Sequence, residues 1–324
     1  MITNSSIVAK LLEKLLKFTT MTVYSQIDSN KRKTWLLMAI FTAFILVVGY
    51  IFILALGYQG VGALTLMGIF LIISGLVNLG SFYWSDKLVI AISGAKPIFK
   101  KDAPQVFRIV ENLSIAQGTP MPKVYLISDP APNAFATGRD EKHAAVAVTT
   151  GLLQKLDDLE LEGVIAHELS HVKNYDTRLM AVVTVLVGMV AVLADFFLRS
   201  LWWGRASADS ENRQGTGILM ALGLIFAILA PIVAQLIRLA VSRRREFLAD
   251  SSGALLTRYP EGLAAALGKI SDYKLPARSA STATAHLYIA NPFGSADFKN
   301  WFLNLFNTHP PIAERIKRLR EMAV

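Results

Sequence analysis

The chain has 324 residues, 53% of them hydrophobic, with 33 Lys and Arg against 24 Asp and Glu, a formal net charge of +9, and no cysteine. Its apolar residues gather into long uncharged runs, which excludes an ordinary soluble domain, and the lack of cysteine leaves any metal to His and carboxylate ligands. The basic excess calls for no nucleic acid, because it flanks the apolar runs as it does in the cytoplasmic loops of membrane proteins.

Residues 1–34 form an N-terminal segment. Within it, 7–18 is expected as an amphipathic helix, with Val8, Leu11, Leu12, Leu15 and Leu16 on one side and Lys10, Lys14 and Lys17 on the other. The runs 35–56 and 63–83 are each long enough to cross a bilayer and are joined only by the uncharged loop 57–62, so 35–83 is predicted to be a transmembrane hairpin. A first stretch of catalytic domain, 84–178, follows. Its predicted elements are a helix over 104–117 and three short strands at 123–128, 133–137 and 144–149, the last two joined by the turn-like 138–142. A second hairpin, 179–241, is built from the runs 179–201 and 216–241. The first of these carries Asp195, which is costly in mid-bilayer but lies toward one end. The second catalytic stretch, 242–324, holds predicted helices over 260–270 and 311–322. Between them 271–308 has no clear periodicity and is expected as loop with short helical pieces that could serve as a lid.

The chemistry concentrates in His167-Glu168-Leu169-Ser170-His171. On a helix, His167 and His171 stand one turn apart on the same face and can close on one Zn²⁺ at about 2.0–2.1 Å each. Glu168 lies off that pair but near enough to serve a water in the metal's open position as general base. Asp157 and Glu160 supply a capping box at the start of this helix, and Leu161, Val164, Ile165 and Leu169 give it an apolar stripe. A hydrolytic zinc site needs a third ligand. The proteases that take a third His shortly after the second are excluded, because Asn174 and Thr177 stand where the pattern needs Gly and His. Glu246 on a second helix is the best alternative, with Asp250 four residues on along the same face to hydrogen-bond a ligand His.

Charge asymmetry bears on that choice. Lys10, Lys14, Lys17, Lys31, Arg32 and Lys33 precede the first span against Glu13 and Asp28, the 57–62 loop is uncharged, Arg205 and Arg213 are balanced by Asp209 and Glu211, and Arg243, Arg244 and Arg245 follow the fourth span. The positive excess thus falls on one face, predicted to be cytoplasmic. His171 just before the third span and Glu246 just after the fourth then return to the same face and can converge at the membrane edge. His143 and His286 have no partner spacing and are expected to be structural or surface residues, His286 with a possible lid contact.

These residues together resemble the HtpX-type membrane zinc metalloproteases, relatives of the CAAX prenyl proteases. The resemblance covers about residues 35–322 and rests on Asn133-Ala134-Phe135-Ala136, the His167–His171 motif, the Glu246–Asp250 motif, and Thr308-His309-Pro310-Pro311 followed by Glu314-Arg315. It implies zinc held by His167, His171 and Glu246, with Glu168 as base. It also implies a hydrogen bond from His309 to the developing oxyanion, a substrate contact at Asn133, and an Arg315–Asp250 pair behind the site. On the residues alone, His309 before Pro-Pro could precede a helix start, Asn133 could cap a turn and Arg315 could be a solvated helix charge.

The expected fold is α+β, mainly α: a four-helix membrane region with a cytoplasmic zincin-like catalytic domain of helices and a small sheet. The expected function is a multi-pass, inner-membrane zinc endopeptidase that cleaves polypeptides, above all membrane or misfolded proteins, at the cytoplasmic face. The resemblance implies membrane-protein quality control. The partners are the polypeptide substrate and the lipid bilayer, without nucleic acid. A prenyl-protein protease is the alternative within the enzyme class. Outside it stands a non-enzymatic channel or transporter with a structural metal, against which count the few intramembrane polar groups and the lack of an inverted repeat.

Overall fold

A computed structural model describes residues 23–55, 59–190, 243–273, 277–278, 287–289 and 310–322. The predicted 7–18 helix, most of the 179–201 run, the whole 216–241 run, His286 and His309 lie outside the described residues.

Two long antiparallel helices come first, α1 (Val23–Ala55) and α2 (Gly60–Ile92). Segments of both, Ile27–Ile51 and Gly60–Ile92, are long and apolar enough to cross a membrane. No Gly or Pro interrupts 23–34, so the helix of the first span reaches back to Val23 rather than starting near 35. The facing surfaces are small and polar in the way membrane helices pack: Ser74, Ser81 and Ser85 are buried, and Asn78 Nδ2 donates to Met38 O (3.1 Å) and Thr42 Oγ1 (2.8 Å). At Gly49 an added Cβ would fall 2.6 Å from the Phe70 ring, so a small residue is required there. The outer faces are the reverse of a soluble protein. Val61, Leu64, Ile72 and Leu76 are all more than 60% exposed, a surface that belongs against lipid.

After α2 the chain builds a four-stranded sheet of order β1-β2-β4-β3 from β1 (Lys96–Pro97), β2 (Lys123–Ile127), β3 (Ala134–Thr137) and β4 (Ala145–Thr149). β1 and β2 are antiparallel, β2 and β4 parallel, β4 and β3 antiparallel. The last pair forms a hairpin through a 3-10 turn, Glu141–His143, with Gly138 at φ 133, where a Cβ would strike the His143 carbonyl at 2.4 Å. The sheet separates two cores by its alternation. Val124, Ala134, Ala136, Val146 and Val148 pack on the helical core with α3 (Pro104–Gln117), whose C-terminus Gly118 closes at φ 72. Ile127, Phe135, Ala145 and Ala147 face the other way, against Val89 and Ile90 at the end of α2 and Met180 and Ala181. This face of the sheet is thereby seated on the last turns of α2.

α4 (Thr150–Lys155) leads to α5 (Asp158–Lys173), whose N-terminus carries the expected capping box: Asp157 accepts from the Leu159 and Glu160 amides, and Glu160 accepts from Asp157 N–H. After a two-residue break, α6 covers 176–190. α7 (Arg243–Thr257), α8 (Pro260–Ser271) and α9 (Ile312–Met322) complete the described helices. α5 is the central element and is buried almost without interruption from Glu160 to Val172. Its neighbours approach it over glycine: a Cβ on Gly163 would lie 2.6 Å from Leu263 N, and one on Gly253 would lie 3.0 Å from His167 N. The Gly253 approach brings α7 against the turn of α5 that bears His167.

Candidate metal centre

His167 and His171 project from one face of α5, their rings edge to face with centroids 4.8 Å apart and their Nε2 atoms 3.2 Å apart. α7 crosses there and brings Glu246 in, Oε2 at 3.7 Å from His167 Nε2 and Oε1 at 3.6 Å from His171 Nε2. All three side chains are buried. The donor set fits a divalent cation by its spacing. Ligands at about 2.0–2.1 Å from a tetrahedral centre stand about 3.3–3.4 Å from each other. The observed edges of 3.2, 3.6 and 3.7 Å lie close to that figure. Among the described residues, His167, His171 and Glu246 are the group of this kind able to hold a metal ion.

Each imidazole is backed by a carboxylate on its far nitrogen, the arrangement that turns Nε2 toward a metal. His167 Nδ1 lies 2.9 Å from Asp250 Oδ1. Asp250 in turn receives Arg315 through Nε at 2.9 Å and a second guanidinium nitrogen at 2.7 Å. Arg315 is completely buried and also lies 3.6 Å from Glu246 Oε2. Burial works against the Asp250 charge, but the guanidinium of Arg315 and the contact with His167 hold this carboxyl well below the usual carboxylate range.

His171 Nδ1 lies 3.0 Å from Asp176 Oδ2. Burial opposes the charged ring, yet the Asp176 hydrogen bond with the Glu246, Asp176 and Glu168 charges pushes His171 up to about 9. Asp176 is the residue the sequence analysis missed. Its other oxygen accepts from Asn30 Nδ2 of α1 at 2.6 Å, and Arg245 approaches it at 3.5 Å. Asn30 also donates to the Asn174 carbonyl at 2.9 Å.

Glu168 sits beside the triangle with Oε2 accepting from Ala136 N–H at 2.9 Å. Burial, with the Glu246 charge adding to it, pushes its carboxyl above the usual range, against the pull of both imidazoles and the Ala136 amide. Ala136 belongs to β3, an edge of the sheet, and the amide facing Glu168 points away from β4. A narrow cleft of about 20 Å³ opens at this point, lined by Phe135, Met180 and the 287–289 segment besides the site residues. Asn133, at the start of β3, is buried; its Oδ1 accepts from Ile289 N–H at 3.0 Å, and its Nδ2 has no hydrogen-bond partner among the described residues. His143 lies away from the centre, its Nδ1 2.6 Å from Asp140.

Comparison with known proteins gives these contacts a context. Residues 100–323 match peptidase family M48. The chain is 45% identical over 309 residues to the protease HtpX homolog of Caldanaerobacter subterraneus subsp. tengcongensis, covering 94% of this chain and 100% of that one. It is 47% identical over 300 residues to the protease HtpX homolog of Tropheryma whipplei strain TW08/27, covering 93% and 98%. The crystal structure of S. mikatae Ste24p aligns over 91% of this chain and 67% of that one, at 17% identity and a TM-score of 0.45. The chain therefore belongs to peptidase family M48 and is a metalloprotease of the HtpX type.

Proposed function

We propose that this protein is a membrane-integrated zinc endopeptidase acting on membrane or misfolded polypeptides at the cytoplasmic face, with His167, His171 and Glu246 as the ligands of its metal. The observation that carries the ligand assignment is the triangle of donor atoms, its edges of 3.2, 3.6 and 3.7 Å matching the spacing of a tetrahedral shell. All-nitrogen-and-oxygen donors at that spacing suit Zn²⁺, and three protein ligands leave one position open for chemistry. When bound, the cation supplies a Lewis acid that acidifies water and polarises the scissile carbonyl.

The chain's own groups do the rest. Glu168, raised by burial and oriented by the Ala136 amide, takes the proton of the attacking water and passes it to the leaving amine. Asp250 and Asp176 fix which nitrogen each imidazole presents. Arg315 holds Asp250 in register and balances the negative charge of the cluster. The edge of β3 offers backbone groups to an extended substrate, with Asn133 at its head. His309, outside the described residues, is assigned the oxyanion hydrogen bond that the family resemblance implies.

α1 and α2 form the first membrane hairpin of this reading and the runs 179–201 and 216–241 the second. A zincin-like domain assembled from 84–178 and 242–324 sits on the cytoplasmic ends. Support comes from the lipid-like exterior of α2 and the packing of its last turns against the sheet.

Replacing Glu168 by Gln tests the assignment in the full chain. Metal content, measured by elemental analysis, should stay at the wild-type level while hydrolysis is lost. Replacing Glu246 by Gln should lower both together. Full hydrolysis by either variant, or a metal other than zinc supporting the activity of the purified protein while zinc does not, sinks the corresponding part of the proposal.

A further inference from the structure

We infer that the cavity between the end of α2 and the sheet is a binding site for the phosphate headgroup of an anionic phospholipid. This cavity measures about 690 Å³ and is distinct from the metal cleft. Lys87 of α2, Lys123 of β2 and Lys142 of the β3–β4 turn line it, all exposed, and among the described residues none has a carboxylate partner. Asp86 is the lining carboxylate. Arg139 and His143, also in the wall, are engaged by Asp140, at 3.6 and 2.6 Å respectively. The free charge of the cavity is therefore positive.

Its position decides what kind of anion it meets. α2 is 33 residues long, about 50 Å, whereas a hydrocarbon core of about 30 Å takes roughly 20 residues. Counted from Gly60, the core ends close to residue 80, which places Tyr83 and Trp84 at the headgroup level. Both are about half exposed, and both line the cavity. Trp35 of α1, stacked on Phe82 with centroids 5.6 Å apart, marks the same level on the neighbouring helix. Aromatic rings of this kind sit where tails meet headgroups, and a basic pocket beside membrane helices at that depth is suited to a lipid phosphate. A lipid lying against the exposed Leu76 and Leu79 of α2 would hold its acyl chains along the helix below Tyr83 and lift its phosphate to the three lysines. Zwitterionic headgroups carry their own cation and would not neutralise the pocket. The inference rests on the membrane placement of α2 proposed above, and not on the metal centre.

The test uses the full chain in neutral detergent with a fluorescent short-chain phosphatidylglycerol as probe, and the matching phosphatidylcholine beside it. The phosphatidylglycerol should bind and the phosphatidylcholine should bind about ten-fold more weakly or worse. A Lys123→Ala, Lys142→Ala double variant should lose about ten-fold in affinity, and the double Arg variant should keep it. Circular dichroism of both variants checks that the helices are intact. Millimolar inorganic phosphate should not displace the probe, since it lacks the acyl contact. Equal binding of the two lipids, or unchanged binding by the double Ala variant, overturns the site. Displacement by inorganic phosphate overturns the lipid and assigns the pocket to a free anion. Release of the chain from membranes by alkaline carbonate would instead refute the membrane placement, an outcome read separately from either binding result.

Discussion

Asp176 offers the sharpest check on how the metal centre is oriented. Both its oxygens accept: Oδ2 faces His171 Nδ1 at 3.0 Å and Oδ1 accepts from Asn30 Nδ2 at 2.6 Å. Replacing it by Asn keeps the volume but turns one of those acceptors into a donor. If the new amide faces His171, the ring must present a bare Nδ1 and carry its proton on Nε2, the atom meant for the metal. If it faces Asn30 instead, two NH₂ groups meet in a site where Asp176 is 1% exposed and water cannot relieve them. Either way the ligand geometry of His171 is disturbed while the ligand itself remains. Partners of this kind are worth about 10–100-fold in metal affinity, or about 1.4–2.7 kcal/mol. Chelator competition on the purified full chain measures that directly, and hydrolysis at saturating metal should recover much of the wild-type rate. Wild-type metal affinity in Asp176→Asn would refute the orienting role.

Arg315→Met should destabilise the fold by about 3–5 kcal/mol, because it leaves the buried Asp250 charge uncompensated; an Arg315→Met, Asp250→Leu double variant recovering that stability would confirm the cause, read by thermal or denaturant unfolding. Gly163→Ala places a Cβ 2.6 Å from Leu263 N, so α5 and α8 must separate, and a loss of about 1–3 kcal/mol is expected; an unchanged unfolding midpoint would show the contact to be slack. Single cysteines at positions 59, 101, 207 and 279 enter a chain that has none, position 101 being exposed where Gly138 is buried and has no room for a Cβ, and an impermeant thiol reagent outside intact cells should label 59 and 207 while sparing 101 and 279. External labelling of 101 or 279 would place the catalytic domain on the wrong side, and labelling of 59 without 207 would refute two full crossings by the second pair.

Much of the local structure is written in short patterns. The Asp157–Glu160 box and Gly118 bound helices where expected, and the alternation in Val124–Ile127 and Ala145–Val148 is what lets one sheet serve two cores. Elements that depend on distant partners were harder to read. β1 is two residues long and contains Pro97, which cannot donate to a ladder, so no strand signal exists there; it forms because β2 offers an edge. The parallel pairing of β2 with β4 is likewise invisible along the chain, since it depends on β3 turning back on the far side. The meeting of His167, His171 and Glu246 was legible from helical spacing and from the expectation that 179–241 returns to the face it left. Asp176 was not, because its place depends on Tyr175 adopting φ 58, a left-handed turn that a bulky residue rarely takes and that nothing in Asn-Tyr-Asp demands. An acidic residue five positions after the second His, beyond an Asn able to end the helix, was the available signal.

The Tyr175 turn has a consequence for how the membrane helices and the site depend on each other. Left-handed backbone at a non-glycine residue costs of order 1–3 kcal/mol and persists where surrounding contacts impose it. Here those contacts come from α1. Asn30 grips the Asn174 carbonyl on one side of the turn and the Asp176 carboxylate on the other, and Lys31 lies 4.7 Å from the centre of the Tyr175 ring. The loop that aims Asp176 at His171 is thus clamped by the first turns of a helix that is long and apolar enough to cross a membrane. A soluble fragment starting after α2 would keep His167, His171 and Glu246 in its sequence but lose the clamp on the residue that orients His171. α1 is accordingly part of the construction of the His167–His171–Glu246 cluster, and it is the element through which a shift of the α1–α2 pair would reach His171 first.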